Sequence, residues 1–247
     1  MANYTLIFKE QKNVADGTDT FYFEKPADFV FEAGQYVVLR LANLVAPDTR
    51  AGVRSFSISS APYENDLAFT MRQGMSGFKQ TMYALKPGET IVATGPVGHF
   101  TLSHATNGFP IVFLVGGIGI TPVRSILKQA EHDGSARLFT ILYSNRFEKD
   151  AAFHRELKHM SLATVRYVTT LSQETMPCSG GDEERGYICE AMVRKYVADI
   201  TGVWFYLVGA PTFIEVMEKM LSDMGVAKEA MVCDPFAGMV QDKKSTR

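Results

Sequence analysis

The chain has 247 residues, 46% hydrophobic and 21% charged, with a formal net charge of −2. This is globular composition with enough chain for two ordinary domains, and the near-zero charge excludes electrostatic capture of nucleic acid. No apolar run approaches the roughly 20 residues of a membrane span, and residues 1–5 lack the basic and apolar stretches of a signal peptide, so the expected compartment is the cytoplasm.

Up to about residue 102 the pattern is one of short strands, expected over residues 4–9, 20–24, 35–41, 55–59, 67–72 and 90–94. Turn signals separate them: Asp16-Gly17, Ala33-Gly34, Ala61-Pro62 and Lys86-Pro87-Gly88. Residues 76–85 read as a short helix. Many short strands and one small helix predict an antiparallel barrel, of Greek-key type. A polar stretch at residues 103–108 reads as the linker. Beyond it, apolar runs at 110–115, 138–143, 165–170 and 204–208 read as buried strands, with a last strand at 230–234. Helices are expected between them over 122–132, 151–160, 190–197 and 212–224, the first with Thr121 as N-cap and Pro122 at its first position. Alternating strands and helices predict a parallel sheet. The domains are therefore expected to be residues 1–103 and 109–247, with a solvated tail at 241–247.

The three cysteines, Cys178, Cys189 and Cys233, contain no CxxC pair. They cannot supply a four-thiolate iron–sulfur cluster and read as idle thiols in a reducing compartment, and no metal site is expected. Two other stretches carry chemistry. In Arg54-Ser55-Phe56-Ser57 a planar cation suited to phosphate precedes two hydroxyls on one strand face and an aromatic ring on the other. Arg72-Gln73-Gly74-Met75-Ser76-Gly77-Phe78 then opens the short helix, whose N-terminal amides are suited to a second phosphate. In the other half, Gly116-Gly117-Ile118-Gly119-Ile120-Thr121-Pro122 turns a strand sharply into a helix, allowing backbone to approach an anion closely. His99, beside the Gly95-Pro96-Val97-Gly98 turn, reads as a surface or packing residue.

In this order the motifs resemble the ferredoxin–NADP reductase superfamily, over nearly the whole chain from about residue 4 to 239. The resemblance implies an FAD-binding barrel followed by an NAD(P)-binding α/β domain. It places Arg54, with Ser55 beside it, on the FAD phosphate, Phe56 against the flavin–ribityl region and Ser57 near the reactive flavin nitrogen. Arg72, Gly74, Ser76, Gly77 and Phe78 would line the diphosphate. Phe56 stands where relatives more often have Tyr. Gly116, Gly117, Gly119, Thr121 and Pro122 would hold the nicotinamide dinucleotide. Ser144 and Arg146, with no acidic residue beside them, offer donors to a 2′-phosphate and favour NADPH over NADH. Gly209, Ala210 and Pro211 take the place of the family's Cys-Gly-Pro segment, with Val208 where many relatives have Cys. Asp234 and Phe236 resemble its acid-x-aromatic ending, Phe236 covering the flavin and Asp234 assisting proton movement; with Ser57 they form the expected catalytic set.

The implied activity is electron transfer from NADPH or NADH through FAD to a one-electron acceptor such as a ferredoxin, a flavodoxin or an oxygenase component. A flavin reductase and a non-catalytic flavin- or nucleotide-binding subunit remain open as alternatives.

Overall fold

The computed structural model describes residues 1–105, 108–174 and 183–236. Strands β1 (Ala2–Ala15) and β2 (Thr18–Glu24) form a hairpin in which Ala15 faces Thr18. Asp16-Gly17 makes its turn, with Gly17 at φ 59°, a left-handed conformation that glycine takes without a Cβ penalty. β1 is longer than its apolar pattern predicts because it pairs on both sides. Residues 2–7 bond to β6 (Thr90–Val97), and residues 8–15 bond to β2, so polar Glu10, Gln11 and Lys12 stay in the strand.

With β3 (Tyr36–Arg40), β4 (Val53–Ser57) and β5 (Asp66–Arg72), the sheet order is β4-β3-β6-β1-β2-β5. All its ladders are antiparallel. β6 returns between β1 and β3, which is the Greek-key path. Past β4, Ser59 N donates to Ala68 O at 2.8 Å and brings that edge onto β5. The barrel interior holds Leu6, Phe8, Phe21, Phe23, Leu67 and Phe69, and helix α1 (Gly77–Ala84) adds Phe78 and Met82.

The second half begins with β7 (Ile111–Gly116), a 3₁₀ turn at Gly117–Gly119 and α2 (Ile120–His132). It continues through β8 (Phe139–Asn145), α3 (His154–Lys158), β9 (Val165–Leu171) and β10 (Glu183–Arg185). It ends with α4 (Glu190–Tyr196), β11 (Trp204–Gly209), α5 (Pro211–Asp223) and β12 (Met231–Pro235). The sheet order is β10-β9-β8-β7-β11-β12, parallel throughout. Along β7, Ile111, Phe113 and Val115 join the core under α2 and α3, while Val112 and Leu114 join the core under α4 and α5. Burial on both faces explains the continuous apolar run.

The expected barrel and parallel α/β sheet are both present. Two local expectations change and one strand is added. α2 starts at Ile120 with Gly119 at its cap, because the glycine turn is itself wound as 3₁₀; Thr121 and Pro122 lie inside the first turn, where a missing N–H costs nothing. α3 starts only at His154, since Phe153 sits at φ 59° and interrupts the helix expected from residue 151. β10 has no strand pattern of its own and exists through its ladder with β9. Cys178 and the expected tail lie outside the described residues.

The halves are locked together. Arg124 of α2 donates to Ser59 O and Glu64 in the barrel half and to Glu156 in its own half. Ser125 Oγ donates to Ser60 O at 2.7 Å, and Tyr206 Oη to Thr101 O at 2.7 Å.

Candidate functional site

The strand order of the parallel sheet reverses between β7 and β11, and the carboxyl ends of such strands form a ligand crevice. Gly116 ends β7 and Gly209 ends β11. A Cβ on Gly209 would lie 3.0 Å from the Phe213 ring and 3.3 Å from Gly116 Cα, so the two strand ends touch through their glycines. A Cβ on Gly119 would lie 2.7 Å from Val208 O. Gly117 takes φ 52°, and the Arg72 guanidinium comes within 3.0 Å of where its Cβ would stand. Thr121 is buried and its hydroxyl donates to Ile118 O at 3.1 Å, so this side chain braces the turn. Beyond β11, Ala210 caps α5 and Pro211 starts it.

At the neighbouring strand end Ser144 is half-buried and Arg146 exposed. Asn145 between them is a residue that sequence reasoning passed over. It is 5% exposed, and neither end of its amide has a hydrogen-bond partner among the described residues. The buried Tyr143 hydroxyl is its polar neighbour. On the other side of the crevice, Asp234 stands opposite Val208 in the β11–β12 ladder. Burial pushes the Asp234 carboxyl up to about 6. Phe236 N donates to Gly209 O at 2.9 Å, and its half-buried ring packs on the core shared by β7 and α2.

The barrel half brings Arg54, Phe56 and α1 together. Phe56 stacks on Phe78, ring centroids 5.5 Å apart, and the Arg54 guanidinium lies 5.5 Å from the same ring. Ser55 is exposed and Ser57 is 8% exposed at the end of β4, although alternation puts them on one face.

One expectation fails here. The N-terminal amides of α1 are not open to a phosphate. Gly77 N donates to Pro47 O, Phe78 N to Asp48 Oδ2, Lys79 N to Ser76 Oγ and Gln80 N to Ser76 O. Backbone crowding adds to this, for a Cβ on Gly77 would lie 2.1 Å from Ala46 O. The glycine therefore admits the loop at residues 45–48, and Ser76 is the helix cap. Arg54 is also engaged, its Nη2 donating to Asp48 Oδ2 at 2.8 Å and its Nη1 to Val53 O at 2.8 Å. Three of its five N–H donors are outside those two bonds. The donors left without a bond at the start of α1 are therefore on side chains, those of Arg54 among them, rather than on the α1 backbone.

Asp48 is the second residue the sequence reading passed over. Its side chain is fully covered. Burial by itself raises its pKa, but bonds from Phe78 N, Arg50 N, Arg54 and Gly52 N outweigh that and hold it at about 2. The signal was Asp48-Thr49-Arg50-Ala51-Gly52, an Asx-type turn in which Asp48 Oδ1 accepts from Arg50 N and Gly52 N.

Elsewhere, ligand atoms of Glu148, His154 and Glu183 lie within 4.8 Å of one another. Lys158 stands 3.6 Å from Glu183, and His154 Nδ1 bonds Tyr167 Oη at 3.1 Å, so the group forms an ion network. Among the described residues no helix is long and apolar enough to cross a membrane.

Comparison with known proteins agrees with this architecture. The family model for the oxidoreductase NAD-binding domain matches residues 113–219. The chain is 37% identical over 180 residues to ferredoxin–NADP reductase B of Sorangium cellulosum, covering 70% of this chain and 69% of that protein. It is 27% identical over 221 residues to the glycine betaine monooxygenase reductase subunit of Chromohalobacter salexigens; that match covers 84% of this chain and 56% of the relative, so the chain spans about half the relative's length. Among solved structures, a ferredoxin NADP+ reductase from Neisseria gonorrhoeae with bound FAD and NADP shares the fold, with a TM-score of 0.80 at 20% identity over 95% of this chain and 99% of that one. The chain belongs to the ferredoxin–NADP reductase superfamily, the NAD(P)H-dependent flavoprotein reductases.

Proposed function

We propose that this protein passes electrons from NAD(P)H through FAD to a one-electron acceptor protein, such as a ferredoxin, a flavodoxin or an oxygenase component. The observation that carries the reading is the meeting of the two halves at one crevice, where Arg72 of the barrel half lies against Gly117 of the glycine turn. Residues 1–103 would hold FAD and residues 109–247 the nicotinamide dinucleotide. Bound FAD supplies the exchange between a two-electron donor and a one-electron acceptor.

The chain's own residues have separable tasks in this reading. Arg54 and Arg72 bind phosphate. Gly116, Gly117, Gly119 and Gly209 let the dinucleotide approach backbone, and Ser144 and Arg146 read its 2′-phosphate. Ser57 donates a hydrogen bond near the flavin's reacting nitrogen. Asp234, protonated up to about pH 6, holds a proton beside the crevice, and Phe236 excludes water from it. The test is direct. The purified protein should be yellow, release FAD on denaturation, and oxidise NADPH when a ferredoxin or one-electron dye is supplied. Absence of bound flavin after reconstitution, or no NAD(P)H oxidation by the loaded protein, overturns the proposal.

A second reading treats flavin as a substrate that comes and goes. The capped α1 amides and the Asp48–Arg54 pair favour it, since they leave fewer donors for a tightly held phosphate. It predicts that flavin is lost on gel filtration and that free flavin stimulates NAD(P)H oxidation with saturation.

A further inference from the structure

The start of α1 leaves a charge pattern that the functional assignment above does not use. Asp48 takes one donor of Arg54 and the amide of Phe78. Two further cations lie next to this pair. Arg72 ends β5, and Lys79 is on the first turn of α1. The Lys79 stem is folded back over Gly74, where a Cβ would meet its Cδ at 2.9 Å and its Nζ at 3.2 Å. Its ammonium donates to Gln73 O at 3.4 Å. Burial presses the ammonium's pKa downward, and Arg72 and Arg54 add to that pressure, so the three cations share one neighbourhood.

Among the described residues neither Arg72 nor Lys79 has a carboxylate partner. The acid near this turn, Asp19, is already bonded to Tyr83 Oη at 2.7 Å, to Asn13 Nδ2 at 3.2 Å and to Gln73 Nε2 at 3.4 Å. Neutral hydrogen-bond donors leave the charge of Asp19 in place, so three cations against the carboxylates of Asp48 and Asp19 leave one net positive charge at this turn. Gathering like charges without a partner is unfavourable, and an anion removes the cost. A dinucleotide's diphosphate bridge carries two negative charges at neutral pH, and charge-assisted bonds to phosphate are the strong ones.

We propose that Lys79 is a phosphate-binding residue of the flavin site, acting with Arg72 and Arg54 in place of the α1 amides. The proposal rests on the FAD reading above. It assigns the diphosphate to side-chain cations because Asp48, Ser76 and Pro47 already satisfy the backbone donors.

The experiment titrates flavin-free protein with FAD and with riboflavin, which lacks phosphate, and follows flavin fluorescence. Lys79→Gln is expected to weaken FAD binding roughly tenfold to a hundredfold, the equivalent of one charge-assisted hydrogen bond. Riboflavin affinity should stay unchanged, and Lys79→Arg should recover most of the FAD loss. In the wild type, added salt should weaken FAD binding and leave riboflavin binding unaffected. That measurement stands even if a variant fails to fold. Equal FAD affinity in wild type and Lys79→Gln overturns the role of Lys79 while leaving the flavoprotein reading intact. So does a flavin-loaded structure with phosphate oxygens on the Gly77 and Phe78 amides. A wild type that binds neither flavin overturns both.

Discussion

At the end of β12 a single carboxyl reports on its surroundings. Asp234 moves from 3.8 to about 6 on folding, through burial alone. The folded state therefore keeps this proton longer than the unfolded chain does, and stability falls as pH rises from about 4 to 6, then levels off. Asp234→Asn should abolish that slope, which is worth roughly 3 kcal/mol. Urea unfolding at the two ends of the window measures it, and an unaltered slope in the variant assigns the effect elsewhere. Asp48 acts in the opposite sense, since its folded pKa of about 2 lies below 3.8. Its contribution is complete above about pH 4 and is lost only as pH falls toward 2, outside the Asp234 window. Ser57→Ala should slow flavin reduction roughly five- to tenfold, the loss of one hydrogen bond, while FAD affinity holds. Rapid mixing of the loaded variant with NADPH decides it, and a wild-type rate removes Ser57 from the reacting centre. For exposed Arg146, Arg146→Ala should raise the Michaelis constant for NADPH about two- to fivefold and leave NADH unchanged, with the gap narrowing in salt. Equal effects on both cofactors would withdraw the 2′-phosphate assignment.

The element that organises the crevice is the glycine turn between β7 and α2. It lies against the end of β11, and the tightest contact is at Gly119, where a Cβ would meet Val208 O at 2.7 Å. Gly119→Ala should force the turn and the start of α2 away from β11, at a cost of about 1–3 kcal/mol in strain. A lower melting temperature together with a raised Michaelis constant for NAD(P)H, at unchanged flavin content, is the expected pattern. A normal Michaelis constant would show that the turn does not contact the dinucleotide. The same elements explain which parts were legible beforehand. Val115-Gly116-Gly117 reads as strand-then-turn because burial on both sheet faces demands an unbroken apolar run. The α1 N-terminus misled, because the loop that caps it comes from residues 45–48, far back in the chain. A local pattern identifies a helix start but not a distant carboxylate that occupies its amides.

Over the whole molecule, Arg124 is the tie between barrel and sheet. It is 9% exposed, pairs with Glu64 at 2.9 Å and Glu156 at 2.7 Å, and lies over the Phe153 ring. Burial alone would lower its pKa, but the two glutamates outweigh that and raise it. Arg124→Met would leave both carboxylates without their cation and Ser59 O without its donor. The two glutamate side chains keep partial access to water, so losing the arginine costs about 1–3 kcal/mol, the cost of an unsatisfied buried acceptor at Ser59 O and of two unpaired carboxylates, which thermal unfolding should register as a clear fall in melting temperature. A shift within a degree or two of wild type would show that the halves are held by their apolar contacts instead. The crevice is formed by two domains held in a set orientation, so the same variant should reduce NAD(P)H oxidation more than flavin content.

Some of this protein was determined by its sequence alone. Alternation in β2 and β5, the Asp16-Gly17 hairpin and the apolar runs of β7, β8 and β11 each follow from local chemistry, and together they specify a barrel followed by a parallel sheet. The order Arg54-Ser55-Phe56-Ser57, then Gly116-Gly117-Ile118-Gly119, carries the resemblance to the ferredoxin–NADP reductase superfamily, and that resemblance is what implies a flavin and a nicotinamide dinucleotide. The partners of those residues were decided only in three dimensions. Asp48 reaches Arg54 and α1, Arg124 reaches Ser59 and Glu64, and Arg72 reaches Gly117 across separations that periodicity does not encode. The reason is physical. Strand and helix patterns record which face is buried, a property of neighbours in the chain, whereas a buried ion takes whichever opposite charge the closed fold brings within about 3 Å.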